Sequence, residues 1–430
     1  MVTTFRNGVA GIEAALTALT SGDGVLDGLR ALPALVDSAR RHPLPDQAAR
    51  ALVEIADRHL DDALAAYLAL QAASRVASPI VDEALLRMVK SEHPGLREHA
   101  AWALSRRHPL ASAVPYLIEI AGNGGFGQMM AELTLENWLG REPELAAPML
   151  GPWTSARWQL PAERPKPKRR GTRRSPGLRI AQVMMQGRVD AGLTAAGAGD
   201  GGGLATLQVG LTGELADHHA VADAYLITRR LPDSEGVFNR SRERIGRHGT
   251  LARLDFGPFR YLSTSEMWPW RLDLERTLRH FLISEGPFDA LHLRFADVGT
   301  FAAARAGRDL GIPIYFTLAP DPHSVIAAAE KSGRLDRADF AAADLEHHYV
   351  FRAWLVEWML EHARRLALIP RPDHTKQLRD LIGIDVAADP DRFVSIAEGV
   401  DFQVAETAAR QVQAAQNGLP PHGVLADFHS

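Results

Sequence analysis

From Leu178 onward, short apolar runs alternate with stretches of helical periodicity, and this alternation limits the possible fold more than any other feature of the chain. Runs at residues 178–185, 224–228, 290–294, 314–318, 366–369 and 393–396 have the length and continuous hydrophobicity of strands buried on both faces. Helical patterns lie between them, at residues 204–216, 271–284, 300–310, 344–364 and 375–381. Strand, helix, strand in repetition predicts one doubly wound parallel sheet, a Rossmann-like unit of residues 178–401.

The preceding part reads differently. Residues 1–158 carry Leu, Ala, Val and Ile at three- and four-residue spacings, broken by short segments containing Pro, Gly or Asp. Around His93-Pro94-Gly95 a turn opens a helix whose Ala100, Ala101 and Leu104 form a small-residue face, and a second helical segment follows at 114–121. This resembles a HEAT-type helical repeat, in which small residues let helices stack closely. With an irregular period, an ordinary helical bundle is the competing reading. A protein partner bound on this module is a further expectation. Residues 159–177 hold a Pro-rich basic run with seven basic residues and four prolines in 161–177. No large apolar side chain interrupts that run, so it reads as a solvated linker.

Composition narrows the chemistry. The 430 residues include no cysteine, which removes disulfides, thiol nucleophiles and thiolate metal sites together. The 17 histidines show no metal-ligand spacing, so no metal is assigned. Lys plus Arg is 48 and Asp plus Glu is 52, too balanced for general affinity to nucleic acid. No apolar stretch approaches the ~18 residues of a membrane span. With no signal-peptide pattern at the N-terminus, the expected location is the cytoplasm.

Three motifs follow predicted strands. Asp200, Gly201, Gly202 and Gly203 close a Gly/Ala-rich loop before a helix, where free N–H groups favour a phosphate. Asp297 lies in His292-Leu-Arg-Phe-Ala-Asp-Val-Gly299, at the strand end where open α/β sheets bind ligands. It suits either a sugar hydroxyl or the cap of the next helix. His323 and Ser324 follow a strand in a Pro-rich turn, and histidine is the side chain best suited to proton transfer near neutral pH.

Taken in order, these residues resemble the N-terminal half of a retaining GT-B glycosyltransferase of the sucrose-phosphate synthase and sucrose synthase family. Asp200-Gly-Gly-Gly203 stands for that family's Asp-x-Gly-Gly loop. Leu226-Ile-Thr-Arg229, Phe256-Gly-Pro258 and Met267-Trp-Pro269 follow, then Phe295-Ala-Asp-Val-Gly299, His323-Ser324 with Lys331-Ser-Gly-Arg334, and Glu398-Gly-Val-Asp401. Arg294 replaces the second histidine of the pattern, and five residues separate Thr317 from His323. The resemblance implies a hexosyltransferase with a nucleotide-sugar donor as co-substrate, a sugar-type acceptor and no other cofactor. His323 would be catalytic, contacting the transferred sugar. Asp200 to Gly203 would lie near the donor phosphates, with Asp297 and Ser324 on substrate. Residues 402–430 read as the start of a second, donor-binding domain that is otherwise absent, so the chain alone is expected to be nearly inactive. The alternative is a non-catalytic helical-repeat scaffold with a vestigial glycosyltransferase-like unit.

Overall fold

A computed structural model describes residues 2–150, 177–195, 202–371 and 374–396. The N-terminal part is helical: α1 (Val2–Ser21), α2 (Val25–Arg41), α3 (Pro45–Asp57), α4 (Ala63–Ala73), α5 (Pro79–Met88), α6 (Pro94–Leu104), α7 (Val114–Gly122), α8 (Gly125–Arg141) and α9 (Pro143–Leu150). Local signals set their starts. Asp62 caps α4 by accepting from the Ala65 N–H at 3.0 Å, and Ser78 caps α5 with Pro79 in the first turn. Every side chain of α4 is buried, so this helix forms the centre of the helical part. Gly28 makes that possible: a Cβ there would stand 2.7 Å from Leu64.

The second part is built on one eight-stranded sheet. Its elements are β1 (Leu178–Val183), α10 (Gly202–Asp217), β2 (Val221–Arg229), β3 (Arg242–Ile245), β4 (Gly249–Leu254), α11 (Arg271–Glu285), β5 (Ala290–Leu293), α12 (Val298–Leu310), β6 (Ile314–Leu318), α13 (Pro322–Lys331), α14 (Phe340–His347), α15 (Tyr349–His362), β7 (Arg365–Leu368), α16 (His374–Ile382) and β8 (Phe393–Ser395). The order across the sheet is β3-β4-β2-β1-β5-β6-β7-β8. Only the β3–β4 pair is antiparallel. Strand order therefore reverses at β1: β2 lies on one side and β5 on the other. The expected Rossmann-like α/β sheet following helices is what the chain forms.

Alternate side chains go to opposite faces. Ala181, Val183, Leu291, Leu293, Phe316 and Leu366 join a core that continues without a break into the N-terminal helices. On the other face Met184, Leu226 and Leu251 pack against Ala205 and Val209 of α10. The two parts are also fastened by polar contacts. Arg337 donates to the Leu19 and Gly22 carbonyls and pairs with Asp62 at 2.6 Å. Phe126 stacks on His348 at 3.7 Å.

Three details differ from the expectation. The strands β3 and β4 were not legible as apolar runs, because Arg242, Glu243 and Arg244 occupy the edge. The helical stretch at 344–364 is two helices, divided at His348, which adopts the left-handed conformation at φ 54°. The Pro-rich turn after β6 is the start of α13: Asp321 caps it and Pro322 takes its first position. The 159–177 linker, apart from Gly177, and the 402–430 segment lie outside the described residues, as does the Glu398–Asp401 motif.

Candidate functional site at the carboxyl edge of the sheet

The reversal of strand order at β1 opens a crevice beyond the carboxyl ends of β1 and β5, the usual ligand site in such sheets. Gln186 follows β1, and Asp297 follows β5. Gln186 Nε2 donates to Asp297 Oδ2 at 2.8 Å, and Asp297 Oδ1 accepts from the Thr300 N–H at 2.8 Å. Asp297 is thus the N-cap of α12 and is only 1% exposed. Burial raises its carboxyl above the usual carboxylate range, while these hydrogen bonds oppose the rise. Gly299 lets α12 approach this closely, since a Cβ would fall 2.9 Å from Met185.

His323 emerges from the neighbouring strand end. Its Nδ1 lies 2.9 Å from Asp321 Oδ1, and the same oxygen accepts from the His323 N–H at 3.1 Å. The side chain is 4% exposed. Glu357 of α15 faces it, and burial pushes the Glu357 carboxyl up to about 7. Ser324 is half-buried, and Arg371 Nη1 donates to its Oγ at 3.0 Å. Asp297 and His323 therefore share the carboxyl edge, with both Asp297 oxygens and the His323 Nδ1 already engaged within the protein.

Gly202 and Gly203 open α10. A Cβ on Gly203 would meet nothing within 4 Å, so its backbone faces open space. Asp200 and Gly201 lie outside the described residues. Beside α10 a cleft of about 530 Å³ runs over the face of β5–β8, within the range of small-molecule pockets. Leu207 and Leu211 wall it; Tyr315, Thr317, Ala367 and Ile396 lie along the sheet side.

Under this cleft lies a chain of contacts not anticipated from sequence. Gln182 Nε2 donates to Thr212 Oγ1 at 2.8 Å. His292 Nδ1 is 3.2 Å from Gln182 Oε1, and its Nε2 is 2.8 Å from Thr317 Oγ1. Burial, with the Arg294 charge adding to it, pulls His292 down to about 4. A neutral ring results, whose two nitrogens divide into one donor and one acceptor. Alternation along β1, β5 and β6 was the available signal, since it puts Gln182, His292 and Thr317 on one face. Arg229 is structural: it donates to the carbonyls of Phe256, Pro258 and Arg260 and holds that loop. Among the described residues no group of three His, Asp or Glu side chains is placed to hold a metal ion. No described helix is long and apolar enough to cross a membrane.

No protein-family profile matches the sequence, and no curated protein does either. Two solved structures of sucrose-phosphate synthase from Thermosynechococcus elongatus are similar to it. One has 11% identity and a TM-score of 0.33, with 56% of this chain covering 99% of that one. The other has 15% identity and a TM-score of 0.38, with 56% of this chain and 53% of that chain covered. The chain thus spans about half the length of the second structure.

Proposed function

We propose that this polypeptide serves a glycosyltransferase reaction, taking a sugar nucleotide at the carboxyl edge of the sheet. The observation that carries this reading is the reversal of strand order at β1, with Asp297 and His323 at adjacent strand ends and a ligand-sized cleft against α10. The order of motifs from Asp200 to Glu398 supports it independently. In this reading the first turn of α10 offers its N–H groups to the donor diphosphate. His323, oriented by Asp321, faces the transferred sugar, and Ser324 lies beside it. Asp297 meets the acceptor after exchanging its Gln186 hydrogen bond for a sugar hydroxyl.

Hydrogen exchange with and without a sugar nucleotide tests this. Protection is expected over residues 184–186, 202–211 and 294–300. Unchanged exchange in all three segments counts against the reading.

One observation favours the non-catalytic alternative. Asp297 and His323 are both almost fully buried, and the Asp297 oxygens are committed to Gln186 and the α12 cap. If the unit is a scaffold, these contacts are simply its architecture, and the helical part carries the binding role.

A further inference from the structure

A second cleft, of about 300 Å³, lies where the ends of α6 and α8 meet α12 and α15. Trp102, Trp354 and Trp358 line it, and Arg75, Arg106, Arg141, Arg305 and Arg308 converge on it. Arg305 is neutralised, with its Nε 2.8 Å from Glu275 and its Nη2 3.1 Å from Glu136. The other four differ. Arg106 donates to the Gln71 side chain and lies 4.6 Å over the Trp102 ring. Arg141 donates to the Ser105 and Arg107 carbonyls at 2.6 and 2.9 Å. Arg308 lies 5.3 Å over the Trp358 ring.

Among the described residues none of these four arginines has a carboxylate within ion-pair distance. Glu357 and Glu361 are the acidic groups in the field of Arg75, and Arg40 and Arg141 oppose them. Burial, then the Arg75 charge, pulls Arg106 down to about 9. Arg75, Arg141 and Arg308 are lowered as well, chiefly by burial. Glu357 also acts on Arg106, Glu142 on Arg141, and Asp309 and Glu361 on Arg308, but none is close enough to pair, so the four guanidinium groups keep donors free for an anion.

Helix ends explain part of the cluster. Arg75, Arg106, Arg141 and Arg308 lie at or just beyond the C-termini of α4, α6, α8 and α12, where a positive charge is favoured. That accounts for Arg141, which bonds the carbonyls beyond α6. It does not account for Arg75 and Arg308, whose guanidinium groups bond no carbonyl among the described residues.

We propose that this cleft binds a small phosphorylated compound, its phosphate held among Arg75, Arg106, Arg141 and Arg308. Guanidinium forks match phosphate oxygens in pairs, and the tryptophan walls suit the remainder of such a molecule. The cleft joins α4, α6 and α8 to α12 and α15, so the ligand braces the helical part against the sheet part. Binding only the folded state, it raises the unfolding temperature.

The test titrates inorganic pyrophosphate into the full chain, with sodium chloride at matched ionic strength as reference. Tryptophan fluorescence and the unfolding temperature are read together. A saturable fluorescence change and a raised Tm are expected with pyrophosphate and not with chloride. Arg75→Gln and Arg308→Gln each weaken binding on the order of ten-fold, with unchanged far-UV circular dichroism. Both side chains lie against the cleft on one side and reach solvent on the other, so folding is expected to survive the change. Absence of saturable binding overturns the proposal, as does an affinity unchanged in both variants. Binding that survives both but is lost in Gly203→Val belongs to the α10 loop, which overturns this site and leaves the proposed function standing.

Discussion

His99 Nε2 lies 2.9 Å from Asp344 Oδ2, and this buried pair joins α6 of the helical part to α14 of the sheet part. Tyr67 stacks on the His99 ring at 4.0 Å, and Asp344 Oδ1 accepts from the Val350 N–H at 2.9 Å. The contact lies inside the junction, so its loss weakens the attachment of both parts. His99→Leu leaves Asp344 buried with one partner fewer, at an expected cost of about 3 kcal/mol. Urea unfolding measures this. A single transition shifted to lower urea supports a common cooperative core; loss of the helical signal alone, ahead of the sheet signal, contradicts it.

Arg271 has a comparable position and a larger consequence. Fully buried, it lies 2.7 Å from Glu136 of α8 and 3.0 Å from Glu275 of α11. Arg305 reaches the same two carboxylates. Arg271→Met removes one of two cations shared by two buried carboxylates, and a loss of about 4 kcal/mol is expected. Thermal denaturation is the check, with Arg30→Gln, an exposed pair at one surface, expected to change little.

Much of the sheet was readable because its strands are short, apolar and separated by helical spacings. The edge pair β3–β4 was hidden, since Arg242 and Arg244 are charges of the kind that protect an edge and Gly246 turns between the strands at φ 56°. Asp321-Pro322 reads equally well as a turn or as a helix start; packing of Ile326 into the core decides for the helix. The docking of the helical part was not legible at all. It depends on pairs far apart in sequence, such as Asp62 with Arg337 and His99 with Asp344. Strand logic put Asp297 after β5 and His323 after β6, where they lie, but their burial comes from Gln186, Asp321 and α15, which no local pattern announces.

Gly299 sets the spacing between β1 and α12. In Gly299→Val the new side chain meets Met185, moving the Gln186–Asp297 bond at an expected cost of about 2 kcal/mol. The parent and variant are compared by unfolding free energy and by hydrogen exchange at 184–186. Faster exchange there, with exchange at α4 unchanged, is the expected pattern.

The His292 ring provides a pH signature. Its folded pKa, about 4, lies below the ordinary 6.5, so the unfolded chain binds a proton more readily between those values. Its stabilising share is full above pH 6.5, falls as pH drops toward 4, and is constant below that, amounting to about 3 kcal/mol at most. His348, lowered by burial to about 4, acts in the same direction. Glu98 and Glu357, both raised to about 7 by burial, act oppositely. A difference measurement isolates His292: the stability gap between the parent and His292→Gln narrows from pH 7 to pH 4.5. A gap independent of pH contradicts the neutral, buried ring.

The most direct measurement is equilibrium dialysis of the full chain against UDP-glucose, ADP-glucose and GDP-glucose. The account predicts saturable binding of at least one, weakened on the order of ten-fold by Gly203→Val and by His323→Ala and unchanged by Arg75→Gln. No saturable binding of any of the three, or binding indifferent to both Gly203→Val and His323→Ala, would contradict a sugar-nucleotide site at the carboxyl edge of the sheet.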